Sequence, residues 1–139
     1  MRTKASKNED TPVSERKTHF KPAGWHAVTP RIVVHEAQQL VSFLKQVFEA
    51  EGEYETDRPA IIIIGDSRVM ISDAGIRETN VAFLYVYVAD ADDTYQRALA
   101  NGATSLEEPC NTPYGDRRGM VKDRWGNTWQ IATHKPTFA

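Results

Sequence analysis

Cysteine is nearly absent from this chain: Cys110 is the single one in 139 residues. One thiol excludes an intrachain disulfide framework and fits a reducing compartment. Long apolar runs are missing too. Ile61-Ile62-Ile63-Ile64 is far too short to cross a bilayer, so no membrane association is expected. The N-terminal segment lacks the apolar core of a secretory signal, and a cytoplasmic location is expected. A basic excess is also lacking. The net charge is −2. Residues 1 to 25 hold six Lys/Arg and three Asp/Glu, and the remainder holds eleven and sixteen. That acidic body argues against nucleic acid as a partner, because such binders present a basic face.

What is present has a clear order. Residues 1–25 are rich in Lys, Ser, Thr and Glu and read as a flexible tail with too little apolar surface to offset its ordering entropy. Residues 26–139 read as one domain of two modules, about 26–75 and 79–135. Val28 to Val34 reads as a strand. Ala37, Leu40, Val41, Leu44, Val47 and Phe48 recur at helical spacing and form one apolar stripe. A polar connection over Glu51 to Pro59 has room for a short strand around Tyr54. Ile61 to Ile64 and Arg68 to Ser72 are strands around a Gly65-Asp66-Ser67 turn. The pattern then recurs at an offset of about 53 residues, which marks an internal duplication. Val81 to Val88 alternates, with Val81, Phe83, Tyr85 and Tyr87 on one face. Asp90 can cap a helix through Ala91, Tyr95, Ala98 and Leu99, with Gly102 at its end. Thr104–Leu106, Gly119–Lys122 and Asn127–Thr133 supply three more strands.

The richest segment is Tyr114-Gly115-Asp116-Arg117-Arg118-Gly119, followed by Asp123-Arg124-Trp125-Gly126-Asn127-Thr128-Trp129-Gln130-Ile131. Asp123 to Asn127 is a turn-forming cluster between two extended runs. This hairpin resembles the closing hairpin of the glyoxalase/bleomycin-resistance/dioxygenase (vicinal oxygen chelate) superfamily. Arg124 stands where that family usually has Pro, and Gln130 where it usually has a metal-ligating Glu. Val33-Val34-His35-Glu36-Ala37, Val47-Phe48-Glu49-Ala50, Gly65 to Asp73, Val86 to Asp92 and Gly102-Ala103-Thr104 extend the likeness, nearest to the PhnB-like branch. Glu49 replaces that branch's usual Gly. The resemblance covers about Val28 to His134. It implies an α+β fold of two βαβββ modules whose curved sheets surround a cleft, paired in a homodimer.

The resemblance also implies where a metal would sit. Its ligand positions fall on Thr29, Asn80 and Gln130, with a fourth in Val69 to Ser72. Thr, Asn and Gln are neutral and hold divalent cations poorly without anionic or imidazole help. The expectation is therefore no metal and no other cofactor, and a small-molecule ligand held by Thr29, Asn80, Tyr85, Tyr114, Arg117, Trp125 and Gln130. Phe83, Tyr87 and Trp129 are further aromatics for such a surface, and they suit a packed core equally well. Arg117 and Arg118 beside Tyr114 can serve an anion or simply be solvated. Catalytic residues are not identifiable, and Cys110 has no base near it in sequence. The function expected is metal-independent binding or sequestration of a drug or metabolite. A metal-dependent lyase, isomerase or dioxygenase and a protein-interaction module that kept only the fold are the rival readings.

Overall fold

The computed structural model describes residues 20–135. It is an α+β arrangement of two modules. The first holds β1 (Arg31–Val34), α1 (Ala37–Phe48), β2 (Ala60–Ile64) and β3 (Ser67–Asp73). The second holds β4 (Phe83–Tyr87), α2 (Ala91–Ala100), β5 (Thr104–Asn111), β6 (Asp116–Lys122) and β7 (Thr128–His134). Sheet orders are β1-β3-β2 and β4-β7-β6-β5. In each sheet the first strand runs parallel to the last, and the last is antiparallel to its predecessor. The two modules therefore share one topology, as the duplication in the sequence implies.

They differ in one strand. Where the second module has β5, the first has only a bridge between Glu51 and Ile63. Glu53, Glu55, Thr56 and Asp57 give that stretch no apolar face to bury. Gly52, at φ 122°, lies so close to β2 that a Cβ would stand 2.4 Å from the Ile61 carbonyl oxygen. The first module is thus βαββ with a remnant of the expected fourth strand, and that remnant lies at Glu51 instead of Tyr54.

One face of each sheet packs on the helices. Ile32, Val34, Ile62 and Ile71 meet Leu40, Leu44 and Val47 of α1, and Val121, Trp129 and Ile131 join them from the second module. Helix α1 has no side-chain cap from its own N-terminal residue. Instead Asp73, at the end of β3, accepts from the Ala37 amide at 3.1 Å. Arg97 of α2 donates to the Val47 carbonyl at 3.1 and 2.8 Å, satisfying an acceptor at the other end of α1. Glu49 ends this helix at φ 55°, a left-handed position that suits Gly.

Residues 1–19 lie outside the described residues. Of the segment 1–25 expected as a tail, residues 20–25 are described. The Arg68 guanidinium lies 5.3 Å from the Trp25 ring centre and also bonds the Gly24 carbonyl, so 24–25 belong to the body. Val28 to Pro30 is not strand, and β1 begins at Arg31.

Candidate functional site

The two modules meet at an antiparallel bridge between Val33 of β1 and Asn80, three residues ahead of β4. Val33 and Asn80 exchange backbone hydrogen bonds of 3.0 and 2.8 Å. Residues 26–30, ahead of β1, are not strand, Pro30 having no N–H to donate, and a gap lies between them and β4. The gap is a cleft of about 370 Å³. One wall is His26 to Pro30, another is the β2–β3 turn with Arg68, and the third is the open edge of β4 with Tyr85 and Tyr87. An edge of Trp129 closes the floor.

Beside the cleft lies the open face of the second sheet. Register places Tyr85 opposite Gln130, Gln130 opposite Met120, and Ala132 opposite Arg118. Alternation then puts Phe83, Tyr85, Tyr87, Gln130, His134, Asp116, Arg118 and Met120 on one face. Trp129 points the other way. It is fully buried, its ring centre is 5.2 Å from that of Phe48, and its indole N–H donates to Asp123 at 2.8 Å.

At one end of the open face, where β6 begins, is Asp116, only 2% exposed. Its Oδ2 accepts from Tyr85 at 2.6 Å and from Tyr87 at 2.8 Å, and its Oδ1 lies 2.8 Å from His134 Nδ1. The backbone around it is fixed by Thr112, whose hydroxyl accepts from the Asp116 amide at 2.9 Å. The donated bonds from Tyr85 and His134 lead in holding the carboxyl below its ordinary range, and burial opposes them. Burial and the bond to Asp116 push the Tyr85 phenol up, and the Asp116 bond does the same to Tyr87. Both phenols stay neutral. The network continues from Tyr85 to Tyr114 at 3.3 Å, to Arg118 at 3.1 Å, and to Glu107 at 2.6 Å. The ion pair with Glu107 raises the Arg118 guanidinium further.

The expected site residues are only partly brought together. Thr29 and Tyr85 line the cleft. Gln130 and Tyr114 stand on the adjoining open face. Asn80 is not among the residues lining this cleft: its backbone pairs with Val33, and register gives Tyr85 the place opposite Gln130. Trp125 is not at the cleft. It packs edge-on against Phe43 of α1 at 5.9 Å, with Arg124 over its other side at 4.6 Å. Arg117 is on the helix side, bonded to Asp92 of α2 at 3.2 Å. Its neighbour Arg118 is the one on the open face. Asp116, Tyr87, His134, Arg118 and Glu107 carry the network without having been singled out together. Parity from Gln130 across the Asp123–Asn127 turn is the signal that marks Asp116 and Arg118.

The turn itself is rigid for a local reason. Asp123 is buried and accepts from the amides of Trp125 and Asn127, the Asn127 side chain and the Trp129 indole, at 2.8 to 3.0 Å. Gly126 sits at φ 101°, where a side chain would be strained. The family model for the glyoxalase/bleomycin resistance protein/dioxygenase superfamily matches residues 19–131, both modules and this hairpin included. The chain belongs to that superfamily. An uncharacterized protein of Mycobacterium bovis, Mb0911c, is 28% identical over 123 residues, covering 76% of this chain and 81% of its own. The crystal structure of TioX from Micromonospora sp. ML1 superposes with a TM-score of 0.65 at 20% identity, covering 82% of this chain and all of that one. The fosfomycin resistance protein FosX from Listeria monocytogenes, solved with Mn(II) and sulfate, gives 0.62 at 16% identity, over 81% and 91%. These likenesses at low identity speak for the fold.

The side chains at the positions that the superfamily resemblance marks for a metal carry no negative charge and no imidazole. Gln130 is a neutral amide, Tyr85 opposite it is a phenol held neutral, and the equivalent pair in the first sheet is Arg31 and Met70. His26 and Asp66 border the cleft. Among the described residues no three of His, Cys, Asp and Glu converge as a metal-holding group. Asp116 already accepts three bonds and is turned to its own tyrosines.

Proposed function

We propose that this superfamily member binds a small organic molecule in the cleft between β4 and residues 26–30, without a metal, and acts by sequestering a drug or metabolite. The observation that carries this reading is the lining. A 370 Å³ gap lined by Tyr85, Tyr87 and Trp129, by aliphatic residues and by the hydroxyls of Thr29 and Ser67, with His26, Asp66 and Arg68 beside them, suits a drug-sized organic group. It supplies no nucleophile paired with a base and no anionic ligand set. The protein works in the cytoplasm as a homodimer. Leu106 and Tyr114, outside the cleft lining, are large and exposed around the second sheet, and a second copy would cover part of that surface. Among the described residues no helix is long and apolar enough to cross a membrane.

Two measurements test the reading. Elemental analysis of untagged protein should find no stoichiometric divalent metal. One tightly held zinc, nickel, iron or manganese per chain would overturn it in favour of a lyase, isomerase or dioxygenase. Thermal-shift screening across antibiotics and metabolites should yield compounds that raise the melting temperature, since ligand at about 100 times its Kd adds about 2.7 kcal/mol to stability. A folded protein that no compound stabilises would instead match an interaction module.

A further inference from the structure

The hydrogen-bond directions around Asp116 define what the ligand must bring. An ionised carboxylate only accepts, so Tyr85 and Tyr87 must each donate their one hydroxyl proton to it. For the same reason His134 carries its proton on Nδ1. Tyr85 has no second proton, so the 3.3 Å contact with Tyr114 is a bond donated by Tyr114. Tyr114 is free to do so because it accepts from Arg118 at 3.1 Å. Every proton in the chain Arg118, Tyr114, Tyr85 therefore runs toward Asp116, and Tyr87 and His134 add theirs. What remains facing outward is acceptor lone pairs, chiefly on the Tyr87 oxygen and the second lone pair of Tyr85.

Those oxygens sit above a buried negative charge. The charge of Arg118 is matched by Glu107 at 2.6 Å, so it does not cancel Asp116. The rings add to the same field. Tyr85 and Tyr87 lie 5.4 Å apart at 58°, and Phe83 is exposed beside them on the same face. Aromatic faces are negative, and a cradle of them attracts an organic cation. On the far wall Arg68 is held against Trp25 and the Gly24 carbonyl, and Asp66 lines the same wall with a carboxylate.

We infer that the ligand of this cleft carries a positively charged amine or quaternary ammonium on an apolar body, with the charge seated against Tyr85 and Tyr87. This rests on the ligand-binding reading and adds to it the charge of the ligand. The test uses three matched probes on the full chain: phenylbutyl-trimethylammonium, its uncharged tert-butyl isostere, and phenylbutyrate. Calorimetry or fluorescence titration should rank the ammonium tightest, about tenfold over the neutral isostere. Tyr87→Phe, which removes one outward oxygen and keeps the ring, should narrow that preference. Asp116→Asn should do the same, and circular dichroism verifies that each variant is folded. Preference for the neutral or anionic probe would overturn the inference and leave the ligand-binding reading standing. An ammonium preference unaltered in a folded Tyr87→Phe protein would overturn the seating. No binding by any probe would count against both.

Discussion

Replacing Trp129 with Ala tests the strand register on which the site rests. Trp129 is the largest fully buried side chain. Truncating a buried aromatic to Ala costs about 3–5 kcal/mol, from lost burial and the cavity left behind. A second loss is smaller. Asp123 forfeits the indole donor at 2.8 Å but keeps three other N–H donors, so that contribution is about 1–2 kcal/mol. Trp129→Phe separates the two, because it keeps a ring against Phe48 and removes only the donor and part of the volume; a loss of about 1–3 kcal/mol is expected. Gln130→Ala, one residue along and on the open face, should shift stability by no more than about 0.5 kcal/mol. Total stability of a domain this size is about 5–15 kcal/mol. The Ala variant is therefore best measured by urea denaturation at low temperature, followed by far-UV circular dichroism. Loss of under about 1 kcal/mol for Trp129→Ala, or a greater loss for Gln130→Ala than for Trp129→Phe, would refute the register.

Two further outcomes are expected. Glu49→Gly should stabilise the protein by about 0.5–1 kcal/mol, since Gly relieves about 1–2 kcal/mol of left-handed strain and gives back part of it as unfolded-chain entropy; a loss of stability in thermal melts would count against that account of φ 55°. Asp116 has a depressed folded-state pKa, so its stabilising contribution is present above the unfolded carboxylate pKa, near about 4, and is lost as pH falls through the folded value. The stability gap between wild type and Asp116→Asn should thus narrow from pH 6 down to pH 2 in denaturant titrations, and a pH-independent gap would contradict it.

The sequence by itself determined the features that depend on local period. The apolar stripe of α1, the alternating faces of β4, the opposite orientation of Trp129 and Gln130, and the duplicated order of elements are all statements about spacing along one strand or helix. The Asp123 to Asn127 turn was legible for the same reason: its carboxylate bonds residues two to six positions away. What the tertiary structure decided lies between strands. Asp116 gathers Tyr85, Tyr87 and His134 across sequence separations of 31, 29 and 18 residues. No local period relates them. Arg117 and Arg118 are chemically alike, and only the register of β6 against β7 sends the first to Asp92 and the second to Glu107. A one-residue slip exchanges them. Asn80 and Trp125 fit a cleft by residue type alone, but the tertiary fold places Asn80 in a separate hollow beside Val33 and packs Trp125 on Phe43. The cleft is lined from both modules, by His26 to Pro30 and the β2–β3 turn on one side and by Tyr85 and Tyr87 on the other, a relation that neither module's sequence encodes alone.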